Sequence, residues 1–221
     1  MDQLVTSSEM ASIDSIAQHR YKIPGLSLME TAGFKIWAAV KGQLYKEQKL
    51  VFLCGGGNNG GDALVVARLA FDEGFLNQVC ILVGSHISPS CFTQREIAKA
   101  YELPSLVLGQ DLLPNAEQTI LDAEVLFDGL SGTGLSGELK GVYRDLVLLA
   151  NKSKALRISI DIPSGVGDDI SAQAPPFFCP PHNYPRAWKK CLVSSCNQTG
   201  LRTTYGSKSF ISEYSIENSP Q

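Results

Sequence analysis

Short apolar runs alternate with longer mixed stretches along most of this chain. The short runs predict strands buried on both faces, and they cover residues 49–54, 79–84, 106–108, 124–130 and 156–160. The longer stretches predict helices over residues 7–18, 27–40, 62–70, 90–101, 115–121 and 143–150. Strands that alternate with helices in this way predict an α/β fold, with a parallel sheet covered by helices on both faces.

The chain is organised around residues 49–70, where a strand is followed by the turn GGGNNGG and then by a helix that Asp62 opens. The first N–H groups of a helix lack backbone partners and carry partial positive charge, so this turn can bind an anion. A second interpretation stays open, because a carboxylate caps a helix well but repels a phosphate. In that interpretation Asp62 is only a cap and the glycines form only a tight turn. The turn matches neither the G-x-G-x-x-G fingerprint nor the Walker A motif.

Oxygen-bearing side chains stand at the ends of three predicted strands. Asn59 follows the first strand, Asp128 ends the fourth, and Asp161 and Ser164 follow the fifth. Because the carboxyl ends of parallel strands meet at one edge of a sheet, we expect these residues to line one crevice near the switch in strand order. Asn59, Asp128 and Ser164 offer oxygen ligands with a single carboxylate, which suits a hard monovalent cation.

Two aspartates in this crevice have two interpretations each. Asp161 can act as an acid or a base if it is partly desolvated, and Asp128 can bind the cation. Alternatively, each carboxylate only caps the turn that follows its strand.

Composition narrows the classes of function. A chain of 221 residues is long enough for one large domain or two small ones, and its net charge of −3 favours neither nucleic acid nor an anionic membrane as a partner. The six cysteines are spread along the chain, so we expect free thiols in a reducing compartment. No targeting peptide and no apolar run of membrane-spanning length is visible. No Ser/His/Asp or Cys/His nucleophile arrangement can be assembled.

Five motifs together carry a family resemblance. In chain order they are VTSSEM at 5–10 with Asp14, PGLSLMETAG at 24–33, GNNGGD at 57–62 with Ala67 and Arg68, Asp128 with GTGLS at 132–136, and SIDIPSG at 159–165. Over about residues 5–167, the chain resembles the YjeF N-terminal domain family, the NAD(P)H-hydrate epimerases. The resemblance implies a three-layer αβα Rossmann-like fold with a mostly parallel central sheet, and a homodimer.

The resemblance also implies an activity. Relatives of this kind epimerise the R and S forms of hydrated NADH and NADPH, called NADHX and NADPHX, as a step in the repair of nicotinamide cofactors. A separate NAD(P)HX dehydratase is the implied functional partner, and we expect its domain to be absent from this chain. We expect a cytoplasmic location, with the mitochondrion as an alternative. Whether NADHX or NADPHX is preferred stays open.

Site residues follow from the resemblance position by position. The residues implied to contact the substrate are Asn58, Asn59, Gly60, Gly61, Asp62, Gly132, Thr133, Gly134, Leu135, Ser136, Gly137, Glu138 and Asp161. The implied ligands of one potassium ion per subunit are Asn59, Asp128 and Ser164, in agreement with the oxygen-only set above. Asp161 is the candidate for proton transfer at the hydroxyl-bearing carbon.

The chain departs from the family pattern at several positions. Ala63 replaces a glycine, Ser131 stands where the pattern D-A-L-F-G-T-G has Phe, and Gly137 stands where a basic residue is usual. A Pro-rich segment replaces the usual sequence after about residue 172, and residues 190–193 and 211–216 are the candidates for completing the sheet. We expect a single domain over residues 1–221 with a diverged tail at 172–221.

These departures support a second hypothesis, in which the protein keeps the nucleotide-binding fold as a binding or regulatory module without turnover. An ordinary NAD-dependent dehydrogenase is a weaker third hypothesis, because the ribose-binding acid and the G-x-G-x-x-G turn are missing after the first strand.

Overall fold

The computed structural model of the protein describes residues 7–133, 137–166 and 176–177. Its helices are α1 (Ser7–His19), α2 (Gly25–Val40), α3 (Asn58–Asp72), α4 (Pro89–Ala100), α5 (Pro114–Leu121) and α6 (Gly141–Lys152). Its strands are β1 (Leu50–Cys54), β2 (Gln78–Leu82), β3 (Ser105–Val107), β4 (Val125–Gly129) and β5 (Leu156–Ser159). Each predicted strand and helix of residues 7–160 is confirmed in type.

The five strands form one sheet in the order β3-β2-β1-β4-β5, and all neighbouring pairs are parallel. The chain runs from β1 outward to β3 and then returns to the other side of β1 with β4. The switch in strand order therefore lies between β1 and β4, and the carboxyl ends of β1, β4 and β5 are neighbours at one edge of the sheet. This arrangement confirms the predicted α/β fold and the predicted meeting of three strand ends.

Helices cover both faces of the sheet, and β1 and β4 are accordingly buried at every position and apolar except at Asp128. On one face, Phe52 and Phe127 stack with ring centroids 4.5 Å apart and pack in one cluster with Trp37 of α2. On the other face, Leu126 packs in a second cluster with Leu146 of α6. Met29 and Trp37 of α2 are both buried in the core.

A glycine in the middle of α2 has a packing reason. Gly33 is buried, and a Cβ atom at this position would run into the side chain of Val65 on α3. The close approach of α2 and α3 therefore requires a residue without a side chain here, although glycine weakens a helix interior by about 1 kcal/mol relative to alanine.

Three predicted helix starts are wrong by two residues or more, and one of them is that of α6, which begins at Gly141 and not at residue 143. α2 begins at Gly25 instead of Ser27, directly after Pro24, whose fixed φ suits the entry to a helix. α3 begins at Asn58 instead of Asp62, so the sequence NNGG forms its first turn and Asp62 lies in the second turn. The interpretation of Asp62 as the cap of this helix is therefore wrong, because the N-cap position belongs to Gly57.

Part of the prediction lies outside the described residues. This holds for the candidate strands at 190–193 and 211–216 and for nearly all of the tail at 172–221, so the single domain over residues 1–221 stays a prediction. Among the helices of the described ranges, none is both long enough and apolar enough to span a bilayer.

Candidate functional site at the switch between β1 and β4

The loop after β1 needs glycine because the backbone is crowded there. A Cβ atom on Gly55 would run into the carbonyl group of Leu130, and a Cβ atom on Gly60 would run into the carbonyl group of Gly55. Gly57, by contrast, is exposed and has open space where a side chain would stand. The loop therefore lies tightly against the end of β4 and presents Gly57, with Asn58 at the start of α3, to solvent.

The helix α6 and the loop before α4 both form hydrogen bonds that fix this first loop. The N–H group of Gly56 donates to the hydroxyl oxygen of Tyr143 on α6 across 3.0 Å. Asn58 is exposed at the rim, and its Oδ1 atom accepts from the hydroxyl group of Ser88, 2.8 Å away. Ser88 is also the N-cap of α4, where its Oγ atom accepts from the N–H group of Cys91. The loop between β2 and α4, which contains Ser88, thus supports the rim of the site.

The carboxylate of Asp128 is the centre of the buried part of the site. Its two oxygens accept four hydrogen bonds, from Leu130 N (3.3 Å), Ser164 Oγ (2.6 Å), Ser164 N (2.8 Å) and Ser159 Oγ (3.3 Å). Burial raises the pKa of Asp128 to about 6, and the hydrogen bonds from Ser164, Leu130 and Ser159 oppose that rise. Asp128 therefore ties the end of β4 to the loop after β5.

Asn59 connects the first loop to this centre. Its side chain is 7% exposed, and Nδ2 donates to the carbonyl oxygen of Ser131 across 2.8 Å. Its Oδ1 atom is buried without a hydrogen-bond partner, and so is the hydroxyl group of Ser131. Buried oxygens are nearly always paired, so two unpaired acceptors in one place indicate room for a ligand. The oxygens of Asn59, Ser131, Asp128 and Ser164 are of the type that hard cations prefer as ligands.

Asp161 lies beside this oxygen set, on the turn after β5. Its backbone has φ +67°, in the left-handed region, and its Oδ2 atom accepts from the N–H group of Thr133 across 3.0 Å. A Cβ atom on Gly132 would lie 2.5 Å from that Oδ2 atom and 3.3 Å from Cβ of Asn59. Glycine at 132 therefore lets the carboxylate of Asp161 approach the backbone of the loop after β4.

Three carboxyl groups, those of Asp161, Asp62 and Asp14, interact electrostatically. Burial raises the pKa of Asp161, and the charge of Asp14 on α1 raises it further, against the hydrogen bonds from Thr133. Burial also raises the pKa of Asp62 well above its usual range, and the charges of Asp161 and Asp14 add to that rise. The carboxyl groups of Asp62 and Asp161 therefore keep protons at higher pH than ordinary aspartates, which is the property that proton transfer near neutral pH requires.

The structure brings together most of the predicted site residues. Asn59, Asp128 and Ser164 share one hydrogen-bonded cluster through the backbone of Ser131, and Thr133 contacts Asp161. Gly137 and Glu138 are exposed, and a side chain at Gly137 would find open space. The predicted contacts at Gly134, Leu135 and Ser136 lie outside the described residues.

Sequence reasoning missed four residues that shape the site, namely Ser88, Ser131, Tyr143 and Ser159. Tyr143 belongs to a distant helix, and no local pattern marks its contact with Gly56. Ser131 was detectable only as a polar residue directly after a strand. Within the described residues, no group of three or more His, Cys, Asp or Glu side chains is placed to hold a metal ion.

Comparison with known proteins places this chain in a family. The sequence model of the family described as YjeF-related protein N-terminus matches residues 25–182. The chain is 37% identical over 173 residues to an NAD(P)H-hydrate epimerase of Lentilactobacillus buchneri, with 76% of each chain covered. It is 34% identical over 169 residues to an NAD(P)H-hydrate epimerase of Rhodopirellula baltica, with 75% of this chain and 66% of that protein covered.

Two further comparisons bear on length and fold. The chain is 35% identical over 172 residues to a bifunctional NAD(P)H-hydrate repair enzyme of Moorella thermoacetica, and the match spans 32% of that longer protein. The crystal structure of the yeast protein ynu0 superposes with a TM-score of 0.62 at 22% identity, covering 79% of this chain and 82% of that one. By fold and by sequence, the chain belongs to the family of YjeF-related protein N-termini.

Proposed function

We propose that this protein is an NAD(P)H-hydrate epimerase, which interconverts the R and S forms of NADHX and NADPHX. The observation that carries the proposal is the position of Asp161, whose carboxylate accepts from Thr133 N and lies at the edge where β1, β4 and β5 end. The names of the relatives from Lentilactobacillus buchneri and Rhodopirellula baltica support the same activity.

The dinucleotide is bound by the first loop and the loop after β4. The N-terminus of α3 directs unpaired N–H groups and partial positive charge to the exposed rim at Gly57 and Asn58, which suits the pyrophosphate. Asp62 and the buried Gly60 and Gly61 are the other residues of α3 that we propose to contact the substrate. On the opposite side, the residues proposed to contact the substrate are Gly132, Thr133, Gly134, Leu135, Ser136, Gly137 and Glu138.

Asp161 transfers the proton at the hydroxyl-bearing carbon of the hydrated ring. Burial raises its pKa, so the carboxyl group keeps a proton at higher pH than an ordinary aspartate does, which suits a group that both holds and releases a proton. The centre inverts either by ring opening or by loss and re-addition of water, and both routes need a proton to move at this position. Thr133 N–H fixes the carboxylate while the proton moves.

Potassium fits the neighbouring oxygen set. Asn59 Oδ1 is a buried acceptor without a partner, and Asp128 supplies a single buried negative charge, which balances a monovalent ion. Asn59, Asp128 and Ser164 would hold the ion. When bound, it supplies positive charge that fixes the loops and takes no part in redox chemistry.

The proposal includes partners and location. A homodimer and a cytoplasmic location rest on the family resemblance alone. A functional link to a separate dehydratase is supported by the bifunctional repair enzyme of Moorella thermoacetica, of which the match spans 32%.

The direct test is the equilibration of R and S isomers of NADPHX by the purified chain, followed by chromatography in potassium buffer. We expect equilibration well above the spontaneous rate, lost in Asp161→Asn and kept in Asp145→Asn, which changes an exposed aspartate of α6. If the wild-type protein is folded but equilibrates the isomers only at the spontaneous rate, the epimerase proposal is rejected.

A second candidate function is a nucleotide-binding module without turnover. The open, exposed position of Gly137 favours it, because no basic side chain is available there for a phosphate. The same assay separates the two functions, since a module binds NADPHX without changing its isomer ratio.

A further inference from the structure

We propose that the hydroxyl group of Ser131 is a further ligand of the monovalent cation, beside Asn59, Asp128 and Ser164. The inference rests on the cation site of the proposed function and adds a residue that the family pattern does not supply, because that pattern has Phe at this position. Its first support is that the Ser131 Oγ atom is buried without a hydrogen-bond partner.

The backbone of Ser131 is fixed inside the oxygen cluster. Its N–H group donates to Ser164 Oγ across 2.9 Å. Its carbonyl oxygen accepts from Asn59 Nδ2 at 2.8 Å and faces Ser164 Oγ at 3.2 Å. Both backbone polar groups of Ser131 are therefore bound to two of the three proposed ligands, so the residue itself belongs to the cluster.

A second unpaired oxygen points to the same ligand. Asn59 is 7% exposed, and its Oδ1 atom is buried without a partner although Nδ2 of the same amide is bound to Ser131 O. An amide oxygen and a hydroxyl oxygen both have lone pairs to offer, and burying them unpaired costs free energy. A cation is a single partner that satisfies both.

Neutral oxygens must supplement Asp128 at the site. Four hydrogen bonds, from Leu130, Ser159 and twice from Ser164, already compete for the lone pairs of its carboxylate. Asp128 therefore brings the negative charge to the cation, while Asn59 Oδ1 and Ser131 Oγ bring buried oxygens that have no hydrogen-bond partner. One negative charge with neutral oxygens suits a monovalent hard cation better than calcium.

Cation binding can be measured without turnover. We would titrate KCl into the full chain at constant ionic strength, with choline chloride as the balancing salt, and follow the thermal unfolding midpoint. Since loss of a hydrogen-bonding partner of a charged group costs roughly a factor of ten in affinity, Ser131→Ala should raise the half-saturating potassium concentration about tenfold. Ser131→Thr keeps the hydroxyl group and should titrate like the wild type. Ser85→Ala, which changes an exposed serine after β2, is the matched control.

Each outcome decides the inference. It is overturned if Ser131→Ala, shown to be folded by circular dichroism, has the wild-type potassium dependence, or if the wild type responds equally to potassium and choline. The epimerase assay on the same samples keeps the two proposals apart. If the protein equilibrates the isomers but potassium does not change its thermal unfolding midpoint, Ser131 is not a cation ligand and the epimerase proposal stands. If potassium raises the thermal unfolding midpoint, Ser131→Ala weakens that effect, and the protein does not equilibrate the isomers, Ser131 is supported as a cation ligand and the epimerase proposal is rejected.

Discussion

The hydroxyl group of Ser164 donates to Oδ1 of Asp128 across 2.6 Å, although 36 residues separate the two along the chain. The N–H group of Ser164 donates to the other oxygen of the same carboxylate across 2.8 Å. Ser164 Oγ also accepts from Ser131 N, so one serine joins the loops after β4 and β5. The geometry of the candidate site therefore depends on this buried contact.

Replacing Ser164 by alanine should destabilise the fold by about 2–3 kcal/mol, because the change removes a hydrogen bond to a buried carboxylate and leaves Ser131 N without its acceptor. The free energy of unfolding should be measured by urea denaturation in choline buffer, which removes any effect of potassium binding. Ser85→Ala, at an exposed position, is the control and should change stability by less than about 0.5 kcal/mol. Equal losses in the two variants would show that the contact contributes nothing.

Replacing Gly132 by alanine should damage catalysis, since the new Cβ atom would lie 2.5 Å from Oδ2 of Asp161. The carboxylate must move, and a displacement of about 1 Å at a reacting group costs roughly 100-fold in rate. The measurement is kcat/KM for the equilibration of NADPHX isomers. Gly109→Ala is the matched control, because open space surrounds that glycine. An unchanged rate in Gly132→Ala would place the reacting carboxylate elsewhere.

The meeting of Asn59, Asp128 and Ser164 was predictable because it follows from strand order. Continuous apolar runs identify parallel strands, and the carboxyl ends of neighbouring parallel strands share one edge wherever the switch lies. The start of α3 was not predictable from propensity. Glycine and asparagine normally break a helix, but packing of the first turn against Gly55 and Met29 overrides that preference.

The contact between Tyr143 and Gly56 could not be predicted from the sequence either, because it depends on how α6 packs beside the first loop. The role of Asp62 changed with the helix start. As a cap it would have been a local feature, whereas in the second turn of α3 it lies close enough to Asp161 and Asp14 for their charges to act on it. Residues that act across elements are visible only once the elements are packed.

Replacing Gly33 by alanine should destabilise the protein by about 1–3 kcal/mol through overpacking, despite the better helix propensity of alanine. The new Cβ atom would collide with the side chain of Val65, which belongs to the facing helix. Val65→Ala makes room, so the double variant should lose less stability than the sum of the two single losses. Urea denaturation of the three variants gives the coupling energy, and strict additivity would contradict the proposed contact.

Asp161 has a left-handed backbone conformation and is also the proposed proton-transfer group. Its effect on stability and its effect on the reaction can be measured separately. Because φ is +67°, alanine at this position should cost about 1 kcal/mol more than glycine or asparagine. All three variants should lose roughly 100-fold or more in the rate of isomer equilibration, because none has a carboxyl group. Thermal unfolding and the chromatographic assay measure the two effects. Activity in the more stable Asp161→Gly would show that the carboxylate is dispensable.

The stability of the protein should fall as the pH rises from about 4 to about 6 in potassium-free buffer. Burial raises the pKa of Asp128 to about 6 in the folded state. In the unfolded chain an aspartate titrates near its usual value of about 3.9. Between these values the folded protein keeps a proton that the unfolded chain has released, so the free energy of unfolding falls with rising pH. The loss in the free energy of unfolding due to Asp128, about 3 kcal/mol, is complete above pH 6 and absent below pH 4.

Asp128→Asn tests the origin of this pH dependence, because an amide cannot titrate. The fall in the free energy of unfolding between about pH 4 and pH 6 should become smaller in the variant, measured by urea denaturation in choline buffer. It should not vanish, since burial raises the pKa values of Asp62 and Asp161 in the same direction. Asp145→Asn, at an exposed position, should keep the wild-type slope. A slope unchanged by Asp128→Asn would mean that the carboxyl group of Asp128 binds its proton equally well in the folded and the unfolded chain, so that burial does not raise its pKa.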